Sequence, residues 1–375
     1  MKKLTVYMFP LLLLFAGCRE RKMAAGFDVE AAMEIHKEFV FSEMFDSLAC
    51  VPLETTDEAL LGQGAYVVYA DERDVFIRYD SRIYHFAADG SFLNLIGQKG
   101  DGPREYAILY SVSIDARNKK LAYYVGQGRI QYWDYEGAWL GEKTLQADGE
   151  LTDVYECGGR WIAENRLYTG KGLLTYLCMF DADGALLQKV LVAQDRQSVN
   201  ITMYTVPIMY PFVGTIRYKD VNSDSLYACC RDSIAGICRF DLGKYKPSRE
   251  QLEDMNQREA LMEDCVQMVD IQESQERFYL LLVHDYAVWG VVLDKATGAI
   301  EYSKKIVSPQ KGGGIMNDVL GGCFWPSFVG DDHALYQLLL LENMSDKGKR
   351  YMASHGIRSH GMVEDANPIL LKVYE

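Results

Sequence analysis

The apolar positions between residues 48 and 245 fall in short runs rather than in long helical stripes. The runs are rich in Val, Ile, Tyr, Phe and Leu and are separated by Gly, Asp and Asn, the pattern of strands joined by turns. The turns recur in one form. The first is Tyr84-His-Phe-Ala-Ala-Asp89-Gly90-Ser-Phe92-Leu93, the second Tyr132-Trp-Asp134-Tyr-Glu136-Gly137-Ala-Trp139-Leu140, the third Met179-Phe-Asp181-Ala-Asp183-Gly184-Ala-Leu186-Leu187. Looser copies follow at Phe240-Asp-Leu-Gly243 and Val292-Leu-Asp294-Lys-Ala-Thr-Gly298-Ala-Ile300. In each, an apolar strand ends near an acid, Gly supplies the positive φ of a tight turn, and large apolar residues resume the next strand.

The turn glycines at 90, 137, 184, 243 and 298 are spaced by 47, 47, 59 and 55 residues. A unit of that size holds about four short strands, the period of β-propeller blades. The span from Leu48 to Tyr374 accommodates about six such units, the last built from Ala334–Leu341 and Ile369–Val373. Spacing alone leaves six and seven blades open. Closing a ring brings the chain ends together, so a strand within 36–53 is expected beside the C-terminal strands. Two segments break the pattern. Residues 248–270 read as a helical insertion, with Ser248 at a cap position and Leu252, Met255, Leu261, Met262, Val266 and Met268 at mixed helical spacing. Residues 342–367 read as a long loop with a short helix near 347–354.

The N-terminus is an address. Lys2 and Lys3 precede an apolar stretch from Leu4 to Phe15, too short to span a bilayer, which takes about 20 residues. The run Phe15-Ala16-Gly17-Cys18 resembles the lipobox of bacterial lipoproteins, with Phe where Leu is commoner. That resemblance implies cleavage before Cys18 and lipidation of its thiol, so that the chain is tethered to a membrane rather than inserted in it. The organisation expected is a signal peptide at 1–17, a lipidated tether at 18–35 and a propeller at 36–375. Residues 19–22 are Arg-Glu-Arg-Lys, without the acidic run that often exports related lipoproteins to the cell surface, which favours the periplasmic side of the outer membrane.

Charge narrows the partners. The net charge is −14, and removing residues 1–17 with their two lysines makes it −16, which argues against nucleic acid as a partner. Eight further cysteines contain no C-x-x-C, so no zinc knuckle or thioredoxin-type pair is expected. Several sit in apolar runs such as Leu226-Tyr-Ala-Cys229-Cys230, and buried thiols and a disulfide both remain open.

Two further motifs carry a family resemblance: Pro52-Leu-Glu54-Thr-Thr56, continuing to Leu60-Leu61-Gly62, and Lys99-Gly-Asp101-Gly-Pro103-Arg104-Glu105-Tyr106. With Asn317-Asp318, Phe324-Trp325-Pro326 and Asp365-Ala-Asn367-Pro368, they resemble the six-bladed β-propeller lipoproteins of Gram-negative anaerobes across essentially the whole mature chain. Leu61 and Arg104 depart from the usual Ile and Gly. The resemblance implies an all-β fold of six four-stranded antiparallel blades. It implies no activity.

The candidate ligand-binding loop is Lys99, Arg104, Glu105 and Tyr106, where Gly100, Gly102 and Pro103 shape the backbone. The competing reading is an inter-blade connection whose Glu105 and Tyr106 serve their own neighbourhood. Ser354-His355-Gly356 and Ser359-His360-Gly361 repeat at a spacing of five, which does not place both histidines on one helical face, so no metal or cofactor is expected. Trp133 and Trp139 bracket a turn and share a face if their register is regular. Carboxylates are too many for sequence to select a catalytic pair. The function expected is a cell-envelope module binding a glycan, peptide or protein partner at the channel mouth, attached to the membrane by lipid. The alternative is a glycan-active hydrolase or lyase.

Overall fold

The computed structural model describes residues 26–195, 207–220, 223–230, 233–248, 251, 254–309, 312–357 and 366–375. Six small antiparallel sheets follow one another around a ring, as a six-bladed β-propeller. Blade 1 comprises Tyr66–Ala70, Asp74–Tyr79, Arg82–Ala87 and Phe92–Ile96; blade 2 Ser111–Asp115, Lys120–Tyr124, Arg129–Asp134 and Trp139–Thr144. Blade 3 comprises Glu150–Cys157, Arg160–Thr169, Gly172–Phe180 and Leu186–Asp195; blade 4 Ile208–Phe212, Thr215–Lys219, Ser225–Cys230 and Ser233–Asp241. Blade 5 comprises Gln267–Glu273, Arg277–His284, Ala287–Asp294 and Ile300–Ile306. Blade 6 takes Phe328–Val329, Leu335–Leu339 and Ile369–Tyr374 from the C-terminal part, and its fourth strand, Ser47–Pro52, from the N-terminal part. Ser47 pairs with Tyr374 and Pro52 with Ile369, so the ring closes as expected.

Alternation along the strands builds the core. Phe278, Leu280 and Leu282 pack toward blade 4, whereas Tyr279 and Leu281 pack toward blade 6. Each blade thus buries both faces, and each of the six inter-blade junctions holds its own apolar cluster. That is why strands such as Phe278–Val283 are apolar without interruption. The described cysteines are free thiols and mostly buried in these layers.

Three expectations need correction. The propeller begins before residue 36. Phe27–Asp28 pairs in parallel with Phe240–Asp241 at the outer edge of blade 4, and Phe27 is fully buried between Phe240 and Phe278. Helix α1 (Val29–Glu34) follows, Lys37 exchanges backbone hydrogen bonds with Ser303 of blade 5, and helix α2 (Phe41–Met44) packs beside blade 6. The segment is a belt across three blades, driven by Val29, Ala32, Met33, Phe41 and Phe45. The helical insertion ends before 270, although Ser248 does cap as expected, accepting from the N–H of helical Gln251 (3.2 Å); Leu252 lies outside the described residues. Helix α3 spans Arg258–Asp264, and from Gln267 the chain is the first strand of blade 5, so Val266 and Met268 serve a sheet core. Gly243 is not a blade hairpin. It follows the last strand of blade 4 in a short 3₁₀ turn, and a side chain there would collide with Glu30 of the belt. Gly90, Gly137, Gly184 and Gly298 do sit in the last hairpins of blades 1, 2, 3 and 5, each with positive φ. In 342–367, helix α4 (Asp346–Ser354) lies where the helix is expected.

Candidate functional site

The loop containing Lys99 to Tyr106 joins blade 1 to blade 2, and its backbone bonds largely to itself, while the buried Tyr106 Oη has no hydrogen-bond partner. The Gly100 N–H donates to the Tyr106 carbonyl (3.0 Å), the Tyr106 N–H to the Gln98 carbonyl (3.1 Å), and the Gly102 N–H to Glu105 Oε2 (2.8 Å). The Glu105 carboxyl folds over both glycines and fills the space a Cβ would take. Lys99 pairs with Asp80 at 3.2 Å, Arg104 lies 4.9 Å from the Trp139 ring, and Tyr106 is buried edge-on to Tyr123. The four side chains have four separate surroundings and do not converge. Trp133 and Trp139 are directly opposed cross-strand partners. His355 Nδ1 lies 2.8 Å from the Tyr351 carbonyl, while His360, Glu364 and Asp365 lie outside the described residues. No group of three metal-binding side chains occurs among the described residues.

Polar side chains converge instead on the central channel. The first strand of each blade, or the turn after it, faces this axis, and one cavity of about 310 Å³ is lined from all six blades. At the other end, where the connections between blades gather, two larger cavities open. One, of about 1100 Å³, lies between blades 2 and 3 and receives Arg78, Arg166 and Asp153. The other, of about 490 Å³, lies among blades 5, 6 and 1 and receives Asp270, Gln272, Tyr66, Gln337 and Trp325.

Asp153 and Asp270 occupy corresponding places in blades 3 and 5. The local sequences are Leu151-Thr-Asp153-Val154 and Met268-Val-Asp270-Ile271. Both strands carry a pairing irregularity there, between Leu151 and Val154 and between Met268 and Asp270. An irregularity of this kind re-aims a side chain, here an acid flanked by buried Leu151 and Val154 in one strand and by buried Met268 and Ile271 in the other. Burial pushes the Asp270 carboxyl up to about 6. Burial, followed by the charge of Glu164, pushes Asp153 up to about 6 against the pull of Arg78 and Arg166. Both residues keep some accessible surface, but it faces the channel cavities rather than bulk water. Tyr155 is raised chiefly by burial, with both Asp153 and Asp270 contributing, so the channel wall is one electrostatic unit.

Buried ion pairs brace the wall. Glu164 accepts from Tyr218 Oη (2.7 Å), Arg166 Nε (2.8 Å) and Thr152 Oγ1 (3.1 Å), joining blades 3 and 4. Glu273 accepts from Arg217 Nε (2.9 Å), Lys295 Nζ (2.7 Å) and Tyr210 Oη (3.0 Å), joining blades 4 and 5. These acids have their partners. Gln337 and Trp325 do not. Gln337 is 7% exposed and Trp325 2%, yet Gln337 Oε1 and Trp325 Nε1 have no hydrogen-bond partner in the protein. Twelve buried polar atoms among the described residues share this condition, Tyr106 Oη and Nε1 of Trp133, Trp139 and Trp289 among them, but of their residues only Gln337 and Trp325 line the 490 Å³ cavity. Sequence reading missed this wall because it followed turns. The available signal was a single polar residue in an apolar strand, Gln337 in Leu335–Leu341; Asp270 lies in a strand that also holds Gln267, Gln272 and Glu273.

Residues 25–374 match the family model described as a domain of unknown function, DUF4934. No curated protein matches the chain. Among solved structures, a Bacteroides fragilis NCTC 9343 protein described as exported aligns with a TM-score of 0.68 at 17% identity, over 90% of this chain and 97% of that one. It shares the fold. BamB from Moraxella catarrhalis aligns with a TM-score of 0.39 at 12% identity, over 70% of this chain and 69% of that one. A Bacteroides caccae protein of unknown function gives 0.41 at 11% identity, over 65% and 83%. No helix among the described residues is long and apolar enough to cross a membrane.

Proposed function

As this chain belongs to the DUF4934 family, whose description assigns no activity, we propose its function from the site: a ligand-binding β-propeller of the cell envelope. It takes a glycan or peptide at the connection end of its channel and is held at the periplasmic face of the outer membrane by lipid on Cys18. The observation that carries the binding reading is the cavity among blades 5, 6 and 1, where Gln337 and Trp325 stay buried and unpartnered beside Asp270. An unmet buried polar atom costs about 1–3 kcal/mol, which a ligand that supplies the partner offsets. Val269, on the rim, tests it. A Val269→Trp variant should fill the mouth and lose binding to a pool of oligosaccharides and synthetic peptides while keeping its melting temperature. Undiminished binding would move the site elsewhere. The anchor is tested by fractionation, since Cys18→Ala should release the protein into the soluble envelope fraction.

A second reading has its own observation. Asp153 and Asp270, both raised to about 6 on the channel wall, suit a glycan hydrolase or lyase working through carboxylates. Product analysis after incubation with bound glycans separates the readings, because turnover lost in Asp153→Asn or Asp270→Asn replaces the binding module with an enzyme.

A further inference from the structure

The chemistry of the cavity among blades 5, 6 and 1 selects among ligands. We infer that it binds a neutral saccharide, held through vicinal hydroxyl groups by Asp270, Gln337 and Trp325; this rests on the binding reading above. Among the described residues no Lys, Arg or His lines the cavity, and the acid lining it is Asp270. An anionic sugar, phosphate or acidic peptide would meet a carboxylate with no compensating cation. A cationic group would satisfy Asp270, but an ammonium has only donors to offer. It would also satisfy Gln337 Oε1, but it would leave the Trp325 N–H without an acceptor.

A hydroxyl group is both donor and acceptor. Adjacent hydroxyls on a sugar ring can donate twice to the Asp270 carboxylate, to which Gln272 Nε2 alone donates among the described side chains, at 3.2 Å. Others can accept from Trp325 Nε1 and exchange both kinds of bond with the Gln337 amide. An extended peptide fits this less well. Its N–H groups on one side recur about every 6.8 Å, so it presents one donor, not two, to a single carboxylate. The Tyr66 ring is 40% exposed at the same cavity and offers an apolar face to sugar C–H groups. Arg78 lies 6.0 Å from the Tyr66 ring, but it lines, with Arg129 and Arg166, the neighbouring cavity between blades 2 and 3.

The test is an array of neutral oligosaccharides, their uronic-acid and sulfated counterparts, and short peptides, probed with the full chain and followed by calorimetry. Binding confined to neutral oligosaccharides is expected. Gln337→Leu and Trp325→Phe should each raise Kd about tenfold, the loss of one ligand hydrogen bond. Gln337→Leu should melt at or above the wild-type temperature, because it removes a polar atom that has no partner in the free protein, whereas Trp325→Phe should melt lower, because it also removes one ring of a buried indole packed on Tyr279 and Tyr302. Trp325→Phe keeps the ring position and serves if Gln337→Leu fails to fold. Binding confined to acidic sugars, or neutral binding unchanged in both variants, would overturn the inference. Peptide binding lost in the variants would overturn the saccharide class but preserve the binding reading. No ligand in any class would remove both.

Discussion

Replacing Asp270 by Asn should make the protein more stable at neutral pH while weakening its ligand site. Burial raises the Asp270 carboxyl from 3.8 to about 6, and its hydrogen-bonding support is Gln272 and the Ile271 backbone. No ion pair to Asp270 occurs among the described residues. A raised folded-state pKa means that the native protein holds this proton more tightly than the unfolded chain. Below pH 3.8 both states are protonated and the group is neutral to stability. Between 3.8 and 6 the unfolded carboxyl ionises first, so stability falls as pH rises. Above 6 a constant penalty remains, of at most about 3 kcal/mol from a shift of about two units. Asn removes the charge and keeps the shape. Unfolding entropy of about 2.1 cal/mol/K per residue over roughly 350 residues converts 3 kcal/mol to a rise of about 4 °C in Tm.

Scanning calorimetry of wild type and Asp270→Asn at pH 7.5 and 4.5 measures this directly. The gap should shrink to about 1 kcal/mol, or roughly 1.5 °C, at the lower pH, where most of the wild-type carboxyl is already protonated when folded. A variant that melts lower at pH 7.5, or a gap independent of pH, would refute the reasoning. It would mean that the channel solvates Asp270 well or supplies it with a cation. The same experiment on Asp153→Asn should give a rise of similar size, since its carboxyl is still pushed up to about 6 after the pull of Arg78 and Arg166.

Three further variants probe the frame. Gly90 has φ of +91°, and a Cβ there would collide with the Pro52 carbonyl of the closing strand, so Gly90→Ala should cost about 2–4 kcal/mol in denaturant titrations. Phe27→Ala should cost about 3–5 kcal/mol and free the belt, seen as new protease cleavage between residues 27 and 46. Glu273→Gln leaves Arg217 and Lys295 without their shared acid at the blade 4–5 junction and should lower stability by about 3–5 kcal/mol at pH 7.

The ring was legible because a hairpin constrains its own sequence. Gly90, Gly137, Gly184 and Gly298 adopt positive φ for local reasons, so each marks a blade without reference to the rest of the chain. Gly243 was legible only as a glycine. Its conformation answers to Glu30, more than 200 residues away, and no local pattern distinguishes such a contact from a hairpin. The blade count survived because Gly184 and Gly298 are 114 residues apart, two blades of about 57, wherever the middle marker is placed. The belt was hidden for a related reason. Phe27 and Val29 read as isolated apolar residues until the edge of blade 4 is known to be beside them. The candidate site was the least legible part, and the cause is physical. Lys99 to Tyr106 is conspicuous because its glycines and charges solve a local problem: Glu105 fills the space its own loop leaves. A binding wall does the opposite, holding Asp270 of blade 5, Gln337 of blade 6 and Trp325 of the connection between them with part of their polar capacity unused. Each alone resembles an ordinary strand or loop residue. The useful sequence signal is therefore a lone polar residue in an apolar strand, and the useful structural signal is that its partner is missing.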